Sequence, residues 1–216
     1  MKQEIIAVLS LVTTTFSSYS TVISPVAEKV VVEKKQEEVL ASQQLDLTNR
    51  YDSQFVNQVF KDNIVLALVY LKGEKSEKEE FEVSFVLQPG EAFAFHENIL
   101  TEFKDEVIKT TESKFIASEG YRSSGFIVGD GVCHLASLIN WVATEAGLEV
   151  TAKVNHDFRP IPGIPRQYGT SIRYSQSGHN SQNQNLYIKN NFSFSVEFKF
   201  TVRKEKVELT IVKKND

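Results

Sequence analysis

The chain has 216 residues, 41% of them hydrophobic, a formal net charge of −4 and a pI near 5.7. That length holds one domain with appendages, or at most two small ones, and the acidic balance argues against nucleic acid as a partner. A single cysteine excludes an internal disulfide framework and any multi-cysteine zinc site; the four histidines lack close ligand spacing, so nothing calls for a metal or a cofactor.

Residues 1–27 read as a signal peptide or N-terminal anchor. Lys2 precedes an uncharged run from Ile5 to Ala27, Ile5 to Val12 matches an apolar h-region, and Ser18 and Ser20 are small residues suited to cleavage. This predicts an exported protein, extracytoplasmic or associated with the cell envelope, that meets a membrane only through this segment if it is left uncleaved. Residues 28–48 mix charges with a valine run and read as a spacer. Residues 49–80 read as an N-terminal helix and a charged loop. The helix begins at Asn49 or Asp52, carries Phe55, Val59, Phe60, Ile64, Leu68 and Leu71 on its apolar face, and stops at Gly73.

Residues 81–216 form the main domain. Phe81 to Leu87 alternates as a strand, Pro89-Gly90 turns, and Ala92 to Phe95 continues with Phe93 and Phe95 on one face. Ile99 to Ser113 is a polar, partly helical connection. The centre of the chain is Gly125 to Gly147, GFIVGDGVCHLASLINWVATEAG. Val132, Leu135, Ala136, Ile139, Val142, Ala143 and Ala146 fall at helical steps, with Asp130 or Gly131 as the cap and Gly147 as the stop. Glu149 to Val154 reads as the next strand, with His156 at its end. Pro160, Pro162 and Pro165 demand extended loop. Thr170 to Tyr174 reads as a short strand, and Ser175 to Asn185 as a polar loop without an apolar anchor. Phe192, Phe194, Val196, Phe198, Phe200 and Val202 then alternate with polar residues; after a turn near Lys204 to Lys206, Val207, Leu209 and Ile211 resume the pattern. The whole predicts an α+β fold: a central Cys-bearing helix packed on an antiparallel sheet, with a long C-terminal β-hairpin.

Cys133 falls in the first turn of the central helix, where unpaired N–H groups and the positive dipole end favour a thiolate. His156, following on the next strand, makes a candidate nucleophile–base pair with it. The backbone N–H groups of Gly131, Val132 and Cys133 are candidates for an oxyanion hole. Asp130, His134, Asp157, Asn190 and Asn191 are candidates for orienting the base or lining the pocket. A buried inert cysteine and an exposed loop histidine are the competing readings.

Several short motifs carry a resemblance. Leu87-Gln-Pro-Gly-Glu-Ala-Phe-Ala-Phe95 is similar to a Pro-Gly-x-x-Phe-Ser-Phe strand, Glu119-Gly-Tyr121 to a Gly-Tyr element, and Gly129-Asp-Gly-Val-Cys-His134 to a Gly-Gly-Gly-Val-Cys-Gln signature. Asn155-His156 with Ile161-Pro162 resembles a His-Ser…Val-Pro segment, and Lys189-Asn-Asn191 a late Asn-Asn pair. Together, from about Phe81 to about Thr201, the chain resembles the VanW-like family, named for an accessory protein of vancomycin-resistance clusters. Asp130 and His134 replace a usual Gly and Gln. Gly169-Thr170-Ser171 stands where the family has Asp-Ala-Thr, so that acidic residue is missing or substituted by Asp157.

The resemblance implies a link to the bacterial cell wall, with peptidoglycan or its peptide stems as partner. It also implies a cysteine L,D-transpeptidase-like acyl transfer, with Cys133 as nucleophile and His156 as base. The alternatives are a non-catalytic cell-wall-binding module and a Cys-His amidase or peptidase.

Overall fold

Strict alternation over Val196–Arg203 and Lys206–Lys213 builds the hairpin that anchors the fold, with Val196, Phe198, Phe200 and Val202 inside and Val207, Leu209 and Ile211 facing them. The computed structural model describes residues 37–73, 80–125, 127–178 and 180–214. Residues 1–27, expected to be a signal peptide or anchor, the expected spacer up to residue 36 and most of the charged loop after Gly73 lie outside the described residues.

In chain order the elements are β1 (Glu38–Asp46), α1 (Gln54–Lys72), β2 (Phe81–Leu87), β3 (Ala92–Ala94), β4 (Val107–Lys109), α2 (Val132–Glu145), β5 (Glu149–Thr151), β6 (Tyr187–Lys189), β7 (Val196–Arg203) and β8 (Lys206–Lys213). One antiparallel sheet has the order β1-β8-β7-β2, and a second has the order β4-β3-β6-β5 with β3 and β4 parallel. Helix α2 packs on β1, β8 and β5, and α1 packs on α2 and β2. This is an α+β fold, with the Cys-bearing helix laid on sheet and the hairpin at its C-terminal end. Among the described residues no helix is long and apolar enough to cross a membrane.

Helix α1 begins where Ser53 accepts the N–H of Val56 and ends at Gly73, whose φ of 77° suits a residue without Cβ. Phe85 stacks on Phe198 with centroids 4.7 Å apart and rings 9° from parallel, joining β2 to β7 across the buried face. Phe93 and Phe95 are both fully buried, edge to face.

Five local expectations change. Part of the expected spacer is β1: it pairs with β8 at the sheet edge, so one side is solvated and its sequence alternates weakly. The strand after α2 is only Glu149–Thr151, and His156 lies beyond it in a turn. Residues 170–174 form no strand, because their N–H groups go to dispersed partners: Thr170 to Ser137 Oγ, Ser171 to the Val154 carbonyl, Ile172 to Cys133 Sγ and Arg173 to the Gln184 carbonyl. Phe192 and Phe194 precede β7 rather than belonging to it. Asn190 bends the chain there, its Nδ2 donating to the carbonyls of Leu87 and Phe194 and its Oδ1 accepting from Phe192 N–H. The 99–113 connection contains a 3₁₀ turn at Thr101–Phe103 and strand β4.

The polar loop before β6 is held by buried polar groups in place of apolar ones. Asn185 accepts the His96 N–H and donates to the His96 and Asn98 carbonyls, while Asn98 donates to Ser181.

Phe198→Ala should destabilise the protein by about 3–5 kcal/mol, since it empties the stack under β2. Glu197→Ala, on the opposite face of β7, should cost less than about 0.5 kcal/mol. Denaturant titration of both variants checks this; equal small effects would show that the Phe198 face is not core.

Candidate functional site

The site is set by how α1 holds the loop that leads into α2. Asn63 is fully buried in α1. Its Nδ2 donates to the carbonyls of Arg122 at 2.9 Å and Asp130 at 2.8 Å, and its Oδ1 accepts the Arg122 N–H at 2.9 Å. One side chain thus clamps both ends of the loop 122–130. Inside the loop, Asp130 Oδ2 accepts the N–H and the hydroxyl of Ser124 at 2.7 and 2.8 Å. Asp130 therefore shapes the loop instead of capping α2.

The cap is Gly131, in the left-handed region at φ 104°. A Cβ there would come 2.9 Å from the Phe60 carbonyl oxygen. That glycine lets α2 start directly against α1, so the close approach it permits is to backbone of its own chain.

Cys133 is the second residue of α2 and only partly exposed. Its sulfur accepts the Ile172 N–H at 3.4 Å, and its S–H is directed to the Ile172 carbonyl at 3.7 Å. Burial pushes the Cys133 thiol up to about 11, against the pull of the Ile172 N–H and with the Asp130 charge adding to the rise. The sequence led us to expect a lowered value. The correction is that desolvation of the thiolate outweighs the helix N-terminus. The Val132 N–H also donates to the Gly129 carbonyl at 3.1 Å, which removes it from the expected oxyanion set.

His156 reaches the same region from the turn after β5. Its Nδ1 lies 2.9 Å from the Arg159 carbonyl, its ring packs 4.1 Å from that of Phe158, and it meets His134 edge to face at 6.0 Å. Burial lowers its pKa, partly offset by its hydrogen bonds and by Asp157. Among the described residues no hydrogen bond joins Cys133 to His156.

His134 is 4% exposed and touches Tyr51, Phe60 and His156. Burial, reinforced by the charges of Arg50, His156 and Arg159, holds its pKa well below the ordinary histidine range. Cys133, His134, His156, Asp130 and Gly131 do line one cavity of about 280 Å³, together with Tyr51, Phe60 and Arg159 and rimmed by Ile127 and Phe158. A second cavity of about 560 Å³ adjoins it, sharing Ile127, Cys133 and Phe158 with the first.

The other candidates stand apart. Asp157 is exposed and lies 3.8 Å from Arg166. Asn190 bends the chain before β7, and Asn191 bonds the Glu149 N–H and the Gly147 carbonyl. Among the described residues no group of three or more His, Cys, Asp and Glu side chains is placed to hold a metal ion. Sequence reasoning missed Tyr51, Phe60, Asn63 and Arg159. Phe60 was visible only as core; nothing in the spacing marked Tyr51, Asn63 or Arg159.

A family model described as VanW like protein matches residues 82–212, more than half of the chain. No curated protein and no solved structure matches it.

With its thiol pushed up to about 11, Cys133 is almost wholly protonated at pH 7.5. Alkylation by iodoacetamide should be at least about a hundredfold slower than for free cysteine at that pH, should climb toward pH 11, and should be unchanged in His156→Ala. A fast reaction near neutral pH that His156→Ala abolishes would restore the nucleophile–base pair.

Proposed function

Because the chain belongs to the VanW-like family, we propose that it is an exported cell-envelope protein whose cavity at the start of α2 binds peptide stems of peptidoglycan. The family relates the chain to vancomycin resistance and hence to the cell wall. The observation that carries the binding reading over a catalytic one is the state of Cys133. Its sulfur is engaged by the Ile172 backbone, and burial keeps it protonated. What surrounds it suits recognition: aromatic walls from Tyr51 and Phe60, a neutral buried imidazole at His134, a charged group at Arg159, and Phe158, 79% exposed at the rim. An exposed ring beside a concave, mostly apolar cavity is a surface a ligand would cover.

Acyl transfer is the second reading, favoured by one observation: Cys133 and His156 line the same cavity. In that chemistry His156 takes the Cys133 thiol proton, the thiolate attacks a peptide carbonyl, the C–N bond breaks as the amine leaves with the proton returned by His156, and an incoming amine or water, giving its own proton to His156, releases the thioester and restores the thiol. It requires Cys133 to break its contacts with Ile172 when substrate arrives.

Titration calorimetry of the intact protein with soluble peptidoglycan tetrapeptides should show saturable binding with Kd below about 1 mM. Mass spectrometry should recover the peptides unchanged and find no mass added at Cys133. A Cys133 acyl adduct would put the transferase first. Absence of saturable binding would end the peptide-stem reading.

A further inference from the structure

Peptide binding at the start of α2 leaves the larger cavity, of about 560 Å³, without an occupant, although its volume lies in the ordinary range for ligand pockets. Its lining is of two kinds. Phe115, Ile116, Val128 and Ile172 are apolar, while Lys114 and Arg173 carry charge. The chain as a whole is acidic, with 28 Asp and Glu against 24 Lys and Arg. Among the described residues lining this cavity, however, there are two cations and no carboxylate.

Both cations are within reach of a ligand. Arg173 is exposed, and among the described residues its guanidinium has neither an ion pair nor a hydrogen bond. The Lys114 side chain is 42% exposed, and its ion-pair partner Glu97 stands 3.9 Å away and is itself 51% exposed. A pair that long and that open to water contributes little, so an incoming carboxylate can displace it. Glu97 would keep the Tyr174 hydroxyl, which donates to it at 2.8 Å.

The backbone that carries the two cations is held. Arg173 N–H donates to the Gln184 carbonyl at 2.9 Å, and Gln184 Nε2 donates to Ser171 Oγ at 3.2 Å. Lys114 N–H donates to the Glu119 carboxylate at 2.8 Å. Next to it, Phe115 takes φ 58°, the left-handed region, a strained choice for a bulky aromatic residue. Phe115 is 6% exposed, and its ring packs against those of Phe95 and Tyr121 with centroids 5.5 Å away. Strain of that kind persists only where packing overdetermines it, and it gathers at ligand sites. Here it falls in the cavity lining, between Lys114 and Ile116.

Ile127 and Phe158, 59% and 79% exposed, line this cavity and the smaller one alike. A peptide that fills the smaller cavity and passes over these side chains enters the larger one.

We propose that the larger cavity takes a carboxylate-bearing residue of the bound peptide, with Lys114 and Arg173 holding the carboxylate and Phe115, Ile116, Val128 and Ile172 covering its aliphatic part. This rests on the peptide-binding reading above and adds a second subsite with a charge requirement. An acidic residue complements both parts of the lining. A cationic one would meet like charge, and a purely apolar one would leave the two cations uncompensated.

The test is titration calorimetry of the full chain with soluble peptidoglycan tetrapeptides, with the same tetrapeptides after amidation of their carboxyl groups, and with inorganic phosphate. The acids should bind at least about fivefold more tightly than the amides, and the difference should shrink as salt is raised. Arg173→Gln and Lys114→Gln should each weaken binding of the acids and leave the amides unchanged. Arg173→Lys, which keeps the charge, should retain most of the preference. Glu97→Gln should tighten binding of the acids, because it removes the carboxylate that competes for Lys114.

Equal affinity for acids and amides would overturn the subsite and leave peptide binding standing. A preference for acids that survives in both Arg173→Gln and Lys114→Gln would do the same, since the carboxylate would then be held elsewhere. Phosphate binding as tightly as the acids would make this a general anion site and overturn its assignment to a peptide residue. If neither acids nor amides bind, the proposed function falls and the subsite with it.

Discussion

A buried amide in the middle of a helix, Asn63, holds the arrangement on which the site depends. Its three hydrogen bonds tie the carbonyls of Arg122 and Asp130 and the Arg122 N–H to α1. Everything downstream follows from where that loop ends. Gly131 can then lie against the Phe60 backbone, α2 starts at a fixed point, and Cys133 and His134 in its first turn both reach the cavity. A buried amide satisfied on every side specifies geometry more sharply than an apolar contact, because any slip leaves a polar group unpaired. The loop Ser124–Asp130 interaction repeats the device on a smaller scale.

The electrostatics of the first turn show which effect wins. A helix N-terminus is worth about 0.3–1 kcal/mol to an anion. Removing an ion from water costs about several times that. For Cys133, a thiolate would also lose its S–H contact to the Ile172 carbonyl and face the Asp130 carboxylate. The thiol therefore stays neutral, and so does the His134 imidazole, for the same reason with the opposite sign of charge. The cavity lining thus combines a neutral thiol and a neutral imidazole with the side chains of Arg159 and Asp130.

The two cavities flanking Cys133 share Ile127 and Phe158, both largely exposed apolar side chains. The smaller is aromatic and imidazole-lined. The larger is bounded by Lys114, Arg173 and Tyr174, with Glu97 pairing with Lys114 and accepting from Tyr174 outside it. A chain lying across Phe158 would touch both.

Periodicity determined much of the fold. The alternation of Phe198, Phe200 and Val202 with Val207, Leu209 and Ile211 dictates a hairpin with one buried face, and the helical steps from Val132 to Ala143 dictate an amphipathic helix, because apolar burial reads directly on a period of two or of 3.6. The short ordered motifs also made the family legible, and the family model matches over the same region. Even the membership of the cavity was half visible, since Asp130, Gly131, Cys133, His134 and His156 are neighbours in the chain or across one strand.

What tertiary structure alone decided is polarity without period. Strand β1 was hidden because an edge strand paired to β8 needs little alternation. The 170–174 segment looks like a strand in composition, yet the N–H groups of Thr170 and Ile172 are taken by Ser137 and Cys133 side chains that lie far away in sequence. Asn63, Tyr51 and Arg50 reach the site from α1 and its approach, about seventy to eighty residues upstream of α2. The charge state of Cys133 belongs to the same class. Its place at a helix start is a local property, but the burial that overrides that place comes from the packing of Ile172 and its neighbours, and desolvation depends on everything that surrounds an atom rather than on what precedes it in the chain.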